Sequence, residues 1–207
     1  MDQVKEMPYN EKYQGIVSYM NMVEDFAPRL VKDELGETEE EELREIWKKE
    51  SEPIPKDASD KERYEIAYRN FMRNWVSAHN FMRTHQGEDG AKKFMHAAIG
   101  RWNDRYSGDS VLLKIIGGVS RRAAFRILAK RLAYSMQVFS PFVVTELTGK
   151  RMILKVDPCK IIGTPSGTDF CSMACQNIIP AWLENKFNIK MNGTRHGPNC
   201  SVTYEHF

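Results

Sequence analysis

Apolar side chains recur every three or four residues through much of the first two thirds of the chain, which is the spacing of a helix face. Residues 9–34 and 60–85 carry the longest of these stripes. The apolar positions are Ile16, Tyr19, Met20, Val23, Phe26 and Leu30 in the first, and Tyr64, Ala67, Tyr68, Phe71, Trp75, Ala78 and Met82 in the second. The pattern predicts a long helix over each stretch.

A shorter, acidic helix is predicted between these two. TEEEELREIWKK, residues 38–49, offers Thr38 as an N-cap, acidic groups in its first turn and two lysines near its end. This arrangement complements the helix dipole and is typical of a solvent-facing helix. The two prolines of SEPIPKDASD make residues 51–60 the predicted linker.

Two more helices are predicted after residue 86. One follows GEDG, residues 87–90, and runs to about Tyr106, with apolar positions that include Phe94. The other runs from Ser120 to about Met136. Both lie before residue 138, where the helical pattern ends.

From residue 138 onward, β-branched and aromatic runs replace the helical stripes. VFSPFVVTEL and KRMILKV, separated by Thr148-Gly149, predict an antiparallel hairpin. FNIKM and CSVTYEHF predict two short strands around NGTRHGPN. Residues 169–186 predict a helix between the two pairs of strands, with a kink or an earlier start allowed by Pro180.

Helices followed by strand–strand–helix–strand–strand form the element order of an α+β fold. We therefore predict an N-terminal helical region followed by a small antiparallel sheet with a packed helix and a cysteine cluster. We predict the domain boundary within the linker. Residues 1–57 form an acidic helical arm, and residues 58–207 form a helical plus α+β domain that binds a ligand or a metal.

The distribution of charge supports a split between the two ends of the chain. The net charge of the 207 residues is +2, but residues 1–60 carry −9 and residues 61–207 carry +11. The near-neutral total argues against a purely electrostatic nucleic-acid binder.

No apolar run of about 18 residues predicts a membrane span. The start, MDQVKEMPYN, lacks the apolar stretch of a signal peptide. We therefore expect a cytoplasmic protein that binds neither nucleic acid nor membrane. The many aromatic and methionine side chains of the helices exceed what a core needs, so they predict an apolar pocket or a dimer interface. A small-molecule ligand and a homo-oligomer are the expected partners.

All four cysteines lie in the last quarter of the chain. Their spacing is Cys159-x11-Cys171-x3-Cys175-x24-Cys200, with His196 four residues before the last. Cys171 and Cys175 share one side of a helix, while the other two adjoin strand ends, so all four can meet at one end of the sheet. In the cytoplasm such a cluster indicates a metal or redox site, and thiolates suit zinc or an iron–sulfur cluster. His196 could replace one thiolate. Ordinary buried free thiols are the alternative.

The motifs around these cysteines carry a resemblance. KVDPCKIIG, DFCSMACQNIIPAW and HGPNCSVTY make the stretch from Phe142 to Tyr204 resemble the C-terminal region of the L-2-amino-thiazoline-4-carboxylic acid hydrolase-like family. The stretch is more distantly similar to the 4-vinyl reductase domain family of small-molecule sensors. The resemblance implies metal ligation by Cys159, Cys175 and Cys200, with Cys171 next. It implies a cyclic thiazoline or related substrate in the first family, and a structural zinc beneath a hydrophobic ligand pocket in the second.

Two functions are predicted from the cluster and the resemblance. The first is a metal-dependent enzyme, using zinc or an iron–sulfur cluster, that acts on a small ring or thio-compound, for example a hydrolase of a thiazoline-like C=N bond. His196 and Asp169 are its predicted catalytic residues, for proton transfer or nucleophilic attack. The second is a non-catalytic small-molecule-binding or sensor-like domain with a structural zinc held by all four thiolates.

Overall fold

The computed structural model describes residues 4–105, 120–161 and 170–206, without the side chains of residues 102–105. Its helices are α1 (Tyr9–Glu34), α2 (Glu37–Glu50), α3 (Asp60–Arg105), α4 (Arg121–Met136), a π-helix (Cys171–Ile178) and α5 (Ile179–Phe187). Its strands are β1 (Phe142–Leu147), β2 (Arg151–Val156), β3 (Ile189–His196) and β4 (Asn199–His206). The α+β class is confirmed, with helices first and a small antiparallel sheet after them.

The chain divides into two compact units. The helical unit contains residues 8–101, and the α+β unit contains the described parts of residues 4–7 and 102–207. The sequence analysis instead grouped residues 58–101 with the sheet and placed a boundary at residue 57. The described helices include none that is long and apolar enough to cross a bilayer.

Aromatic side chains form the core of the helical unit. Phe94 is fully buried, and its ring lies 5.4 Å from that of Phe26 and 5.2 Å from that of Trp75, centroid to centroid. Helix α2 adds Leu43 and Trp47 to this buried set. The predicted stripes are therefore core faces, and the acidic helix α2 packs through one side while its charges face solvent.

Two glycines shape this unit. Helix α3 contains one non-helical residue, Gly87, whose φ of +63° suits a residue without Cβ. The predicted break at GEDG therefore lies inside one long kinked element. Helix α2 begins at Glu37 with Gly36 as its N-cap, at φ +131° and without a side-chain cap. The prediction of Thr38 as the N-cap was wrong, because the chain turns into the helix at Gly36, two residues before the predicted cap.

The predicted linker is held by α3 through paired hydrogen bonds. The Asn70 side-chain oxygen accepts from the Glu52 N–H at 2.9 Å, and its amide nitrogen donates to the Glu52 carbonyl at 2.8 Å. Arg69 donates two further bonds, at 2.9 and 2.8 Å, to the Glu52 carboxylate. This segment therefore belongs to the helical unit.

The four strands of the α+β unit form an antiparallel sheet in the order β1-β2-β4-β3. The predicted hairpin of β1 and β2 is confirmed. One face of the sheet, here called the inner face, carries the buried side chains of β2, β4 and the start of β3. Its core comprises Met152, Leu154, Ile189, Met191, Val202 and Tyr204, together with Phe125, Leu128, Ala129, Ala133 and Leu183 from the helices.

Strand β3 differs from the expectation at its second half. NGTRHGPN was predicted to be a loop, but β3 continues through it to His196, and only Gly197 and Pro198 form the turn to β4. The second half of β3 is exposed, so it lacks the alternation of apolar and polar residues that marks a half-buried strand. Pairing with β4 alone extends the strand.

Candidate functional site

Two of the cysteines are placed by the ends of neighbouring strands. Cys200 begins the inner-face row of β4, directly opposite Val156 of β2 on one side and Arg195 of β3 on the other. Residues that face each other in an antiparallel pair share one face of the sheet, so Cys200 lies on the inner face with the core. Cys159 follows the end of β2, and its N–H donates to the Pro198 carbonyl at 2.9 Å. This bond ties the Cys159 segment to the turn that precedes Cys200.

The other two cysteines lie in the π-helix. Cys171 begins it, and Cys175 follows one turn later on the same side. Between them Ala174 is fully buried, and the helix contacts β3, so this side of the π-helix faces the sheet. A π-helix of eight residues is rare, and π-helical turns inside helices are frequent at functional sites. The predicted helix over 169–186 is therefore present in two parts, with Pro180 as the second residue of the α-helical part.

Electrostatic interactions connect all four thiols. Burial, with smaller contributions from the thiols of Cys159 and Cys171, raises the pKa of Cys200 to about 11. Burial also raises the pKa of Cys175 strongly, with added contributions from Cys171, Cys159 and Cys200. Each ionised thiol disfavours the ionisation of the others, and the four cysteines are here called the cysteine cluster. In the metal-free protein these buried groups are thiols at neutral pH.

Cys171 differs from the others in having a cation beside it. Burial raises the pKa of its thiol and Cys159 adds to the rise, but the positive charge of Arg195 opposes both. Arg195 therefore stabilises a thiolate at Cys171.

The cluster has the donor chemistry of a soft-metal site, because thiolates are preferred ligands of zinc and of iron–sulfur clusters. Among the described residues, however, no group of three or more histidine, cysteine, aspartate or glutamate side chains is arranged to hold a metal ion. Metal binding at this cluster therefore requires the thiols to draw closer together.

Of the two predicted catalytic residues, the structure describes His196. His196 is exposed and pairs with Asn199 at the end of the β3–β4 hairpin. Side chains alternate between faces along a strand, so His196 and its neighbour Arg195 point to opposite faces, and Arg195 shares the face of Cys200. Asp169 lies outside the described residues. A catalytic role for either residue stays a prediction.

Two residues beside the cluster were missed by the sequence analysis. Arg195 was treated as part of a loop, although a two-residue turn at Gly197-Pro198 pairs residue 195 with residue 200. Tyr204 is buried on the inner face, and its hydroxyl donates to the Met136 sulfur at 3.4 Å. Burial raises the pKa of Tyr204, and Cys175 and Cys200 raise it further, so this phenol lies within electrostatic reach of the cluster.

Comparisons with known proteins add no relative. No protein-family model matches the chain, and neither a curated protein nor a solved structure matches it. The resemblance to the thiazoline hydrolase-like and 4-vinyl reductase families therefore stays a prediction from the motifs around the cysteines.

Proposed function

We propose that the α+β unit is a zinc-binding module in which Cys159, Cys171, Cys175 and Cys200 hold the metal, and that the module binds a small molecule without catalysis. The observation that carries the proposal is the placement of four cysteines from three segments: the Cys159 N–H donates to the Pro198 carbonyl in the turn before Cys200, and the π-helix that holds Cys171 and Cys175 contacts β3. Zinc compensates the mutual repulsion of thiolates, and its binding energy becomes folding energy.

The arrangement favours a structural role for the metal over a catalytic one. A catalytic zinc leaves one position open for water, whereas four thiolates fill the coordination shell. The raised pKa values of Cys175 and Cys200 also argue against either as an activated nucleophile in the metal-free protein. His196 is exposed and lies on the face of the sheet opposite Cys200.

Metal analysis of the full chain tests the proposal. We expect stoichiometric zinc in the wild type and its loss in both Cys175→Ser and Cys200→Ser. Ser201→Ala is the matched control, because Ser201 follows Cys200 on the opposite face of the same strand. Unchanged zinc content in both cysteine variants would refute the site, and a brown protein containing iron and sulfide would replace zinc by an iron–sulfur cluster.

Zinc also stabilises the fold if the site is structural. A free zinc concentration one hundred times the dissociation constant stabilises a protein by about 2.7 kcal/mol. We expect a chelator to lower the Tm of the wild type and to leave that of Cys200→Ser unchanged. Equal chelator effects on both proteins would contradict a stabilising zinc.

A metal-dependent hydrolase is the second candidate function. The specific observation in its favour is the eight-residue π-helix that carries Cys171 and Cys175, since such helices are frequent at functional sites. The substrate class is a small ring with a thiazoline-like C=N bond, which hydrolysis opens by adding water. Turnover of such a ring by the zinc-loaded wild type, lost in His196→Ala with zinc content preserved, would favour this function. Absence of turnover at full zinc loading would exclude it for the rings tested.

The proposal includes a reducing, cytoplasmic location. All four cysteines are free, and free thiols persist where glutathione and thioredoxin keep them reduced. Thiol labelling immediately after cell lysis tests this point, with full labelling after zinc removal as the expected result. Cysteines recovered as disulfides in a freshly quenched sample would contradict it.

A further inference from the structure

A group of cations lies at the end of the sheet farthest from the cysteines. In the β2–β4 pair, Cys200 is at one end and Arg151 is at the other. The turn that joins β1 to β2, residues 148–150, adjoins this second end. Three exposed cations meet at this turn and are here called the cationic group: Arg121 and Arg122 in the first turn of α4, and Lys150 in the turn itself.

Two sets of contacts bring the first turn of α4 to the β1–β2 turn. A Cβ placed on Gly149 would lie 3.0 Å from the Cβ of Arg122 and 3.2 Å from its Cγ, so only a residue without a side chain lets the arginine stem pack this closely. The Lys150 carbonyl accepts the N–H of His206 at 2.9 Å. The charge of Arg121 acts on the imidazole of His206 and, together with burial, lowers its pKa. Both arginines are therefore connected to the turn that carries Lys150.

The charges of the cationic group are not neutralised within the described part of the chain. Arg151, the next residue along the chain after Lys150, pairs with Glu146 at 3.8 Å and with Glu205 at 3.2 Å. Among the described residues, no carboxylate forms such an ion pair with a member of the cationic group. The helix adds to the positive charge, because α4 begins at Arg121 with no acidic residue in its first turn and the N-terminal end of a helix dipole is positive.

This combination matches the chemistry of a phosphate group. A phosphate monoester carries a charge of about −1.5 to −2 at neutral pH and has three terminal oxygens, so it can engage several cations at once. Guanidinium groups bind phosphate through two parallel hydrogen bonds, and a lysine ammonium binds it as a point charge. A carboxylate offers one charge and two oxygens, which leaves part of the cationic group without a partner.

We propose that the cationic group, Arg121, Arg122 and Lys150, binds the phosphate group of a small molecule. This inference rests on the small-molecule part of the proposed function, because it names the chemical class of the ligand. It does not depend on the metal, since the cationic group and Cys200 lie at opposite ends of the sheet.

The test is binding of inorganic phosphate to the full chain, followed by NMR against chloride at equal ionic strength. We expect a saturable response in the wild type. Arg122→Gln and Lys150→Gln should each weaken the affinity about fivefold, the upper range for an exposed charge pair. Arg122→Lys should weaken it less than Arg122→Gln, because the charge remains although the fork is lost. Lys155→Gln is the matched control, since it removes an exposed charge from β2 nearer the other end of the strand.

The imidazole of His206 gives a readout that loss of structure would not reproduce. A dianion bound beside Arg121 offsets the charge that helps to lower the pKa of His206. Sulfate, whose charge stays constant over the titration, should therefore raise this pKa relative to chloride at equal ionic strength. In Arg121→Gln the pKa should be higher in chloride and should respond less to sulfate. NMR titration of the imidazole signals measures both.

The outcomes separate this inference from the proposed metal site. A wild type that shows no saturable response to phosphate, or an equal loss of affinity in Lys155→Gln, overturns the phosphate site whatever the zinc content. A phosphate response in a protein that binds no zinc supports the phosphate site and refutes the metal. Binding to phosphatidic acid vesicles without a response to free phosphate would assign the cationic group to a membrane surface and overturn the small-molecule ligand.

Discussion

The helical unit and the α+β unit differ in the partners of several interior polar groups. In the helical unit, three buried side chains hydrogen-bond to other groups of the protein. Asn70 bonds the Glu52 backbone, Asn74 donates to the Glu24 carboxylate at 3.0 Å, and Trp47 donates to the Ser77 hydroxyl at 2.7 Å. In the α+β unit, the thiols at the end of the core act mainly on one another.

This difference distinguishes a core whose polar groups are paired within the protein from a candidate binding site. Buried polar groups that hydrogen-bond to one another stabilise a unique fold without a ligand or a metal. A cluster of groups that disfavour each other's charge gains from an external cation. Under the proposed zinc-binding function, we expect added zinc to stabilise the α+β unit and to leave the stability of the helical unit unchanged.

The largest expected effect breaks the helical core. Phe94→Ala removes a fully buried ring that contacts Phe26 and Trp75, and we expect a loss of about 3–5 kcal/mol of unfolding free energy. The loss should be the same with zinc and with a chelator, as measured by denaturant unfolding. Tyr9→Ala, at a ring 40% exposed in the same unit, should cost far less. A zinc-dependent loss in Phe94→Ala would break the comparison.

A smaller effect tests the paired polar groups. Asn70→Ala leaves the N–H and C=O of Glu52 without their side-chain partner, at a cost of about 1–3 kcal/mol. Arg69→Gln disrupts the exposed ion pair with the carboxylate of the same residue, and because solvent screens such a pair we expect a smaller loss of stability. Denaturant unfolding should therefore rank Asn70→Ala below Arg69→Gln in stability. The reverse order would show that the backbone pairing contributes little.

The smallest effect is a pH dependence. Burial raises the pKa of Glu24 above its ordinary value of 4.5, and the hydrogen bond from Asn74 only partly offsets the rise. The contribution of this group to stability is complete below the ordinary pKa and is lost as the pH rises through the raised value. Glu24→Gln keeps an oxygen that accepts from Asn74, so it should be slightly more stable than the wild type at pH 7, by about 0.5 kcal/mol or less, and equal to it at low pH.

Glu34 provides the opposite sign for comparison. Hydrogen bonds from Lys93 and Gln86 lower the pKa of its carboxyl, so its contribution is present above the ordinary pKa and is lost as the pH falls through the lowered value. Glu34→Gln should therefore lose its stability deficit in acid, whereas Glu24→Gln loses its advantage there. Thermal melts from pH 3 to 7 measure both. A pH response of the same sign in the two variants would contradict the assigned pKa directions.

The helices were predictable because their buried apolar residues recur every three or four positions in the sequence. The apolar spacing of residues 9–34 gives the bounds of α1. The helix predicted from Ser120 is α4, and the Ser120 side chain caps it by accepting the Ala123 N–H at 3.3 Å. The start of α2 was missed, because the cap is a glycine with positive φ and contributes no side chain that a pattern could identify. Amphipathic periodicity therefore predicted helix faces better than helix ends.

The candidate site was predictable in its cysteines but incomplete in its surroundings. Spacing alone indicated that Cys171 and Cys175 share a side, and strand ends indicated where Cys159 and Cys200 lie. The π-helix was not predictable. It differs from an α-helix in which carbonyl each backbone N–H bonds, and no residue type marks that difference in the sequence. The position of Arg195 opposite Cys200 could be predicted only from the length of the turn, because that length decides which residues of a hairpin face each other, and hydrophobicity does not.

The two-residue turn at Gly197-Pro198 makes chain length itself a constraint on this protein. A single residue inserted there must be absorbed by a longer loop, or it shifts β4 against β3 by one position and turns the inward side chains of one strand to the other face. Such a shift would carry Cys200 off the core side together with Val202 and Tyr204. Sequence changes that preserve the length of this turn therefore keep Cys200 opposite Arg195, whereas an insertion keeps it there only if the buried face of β4 holds the register.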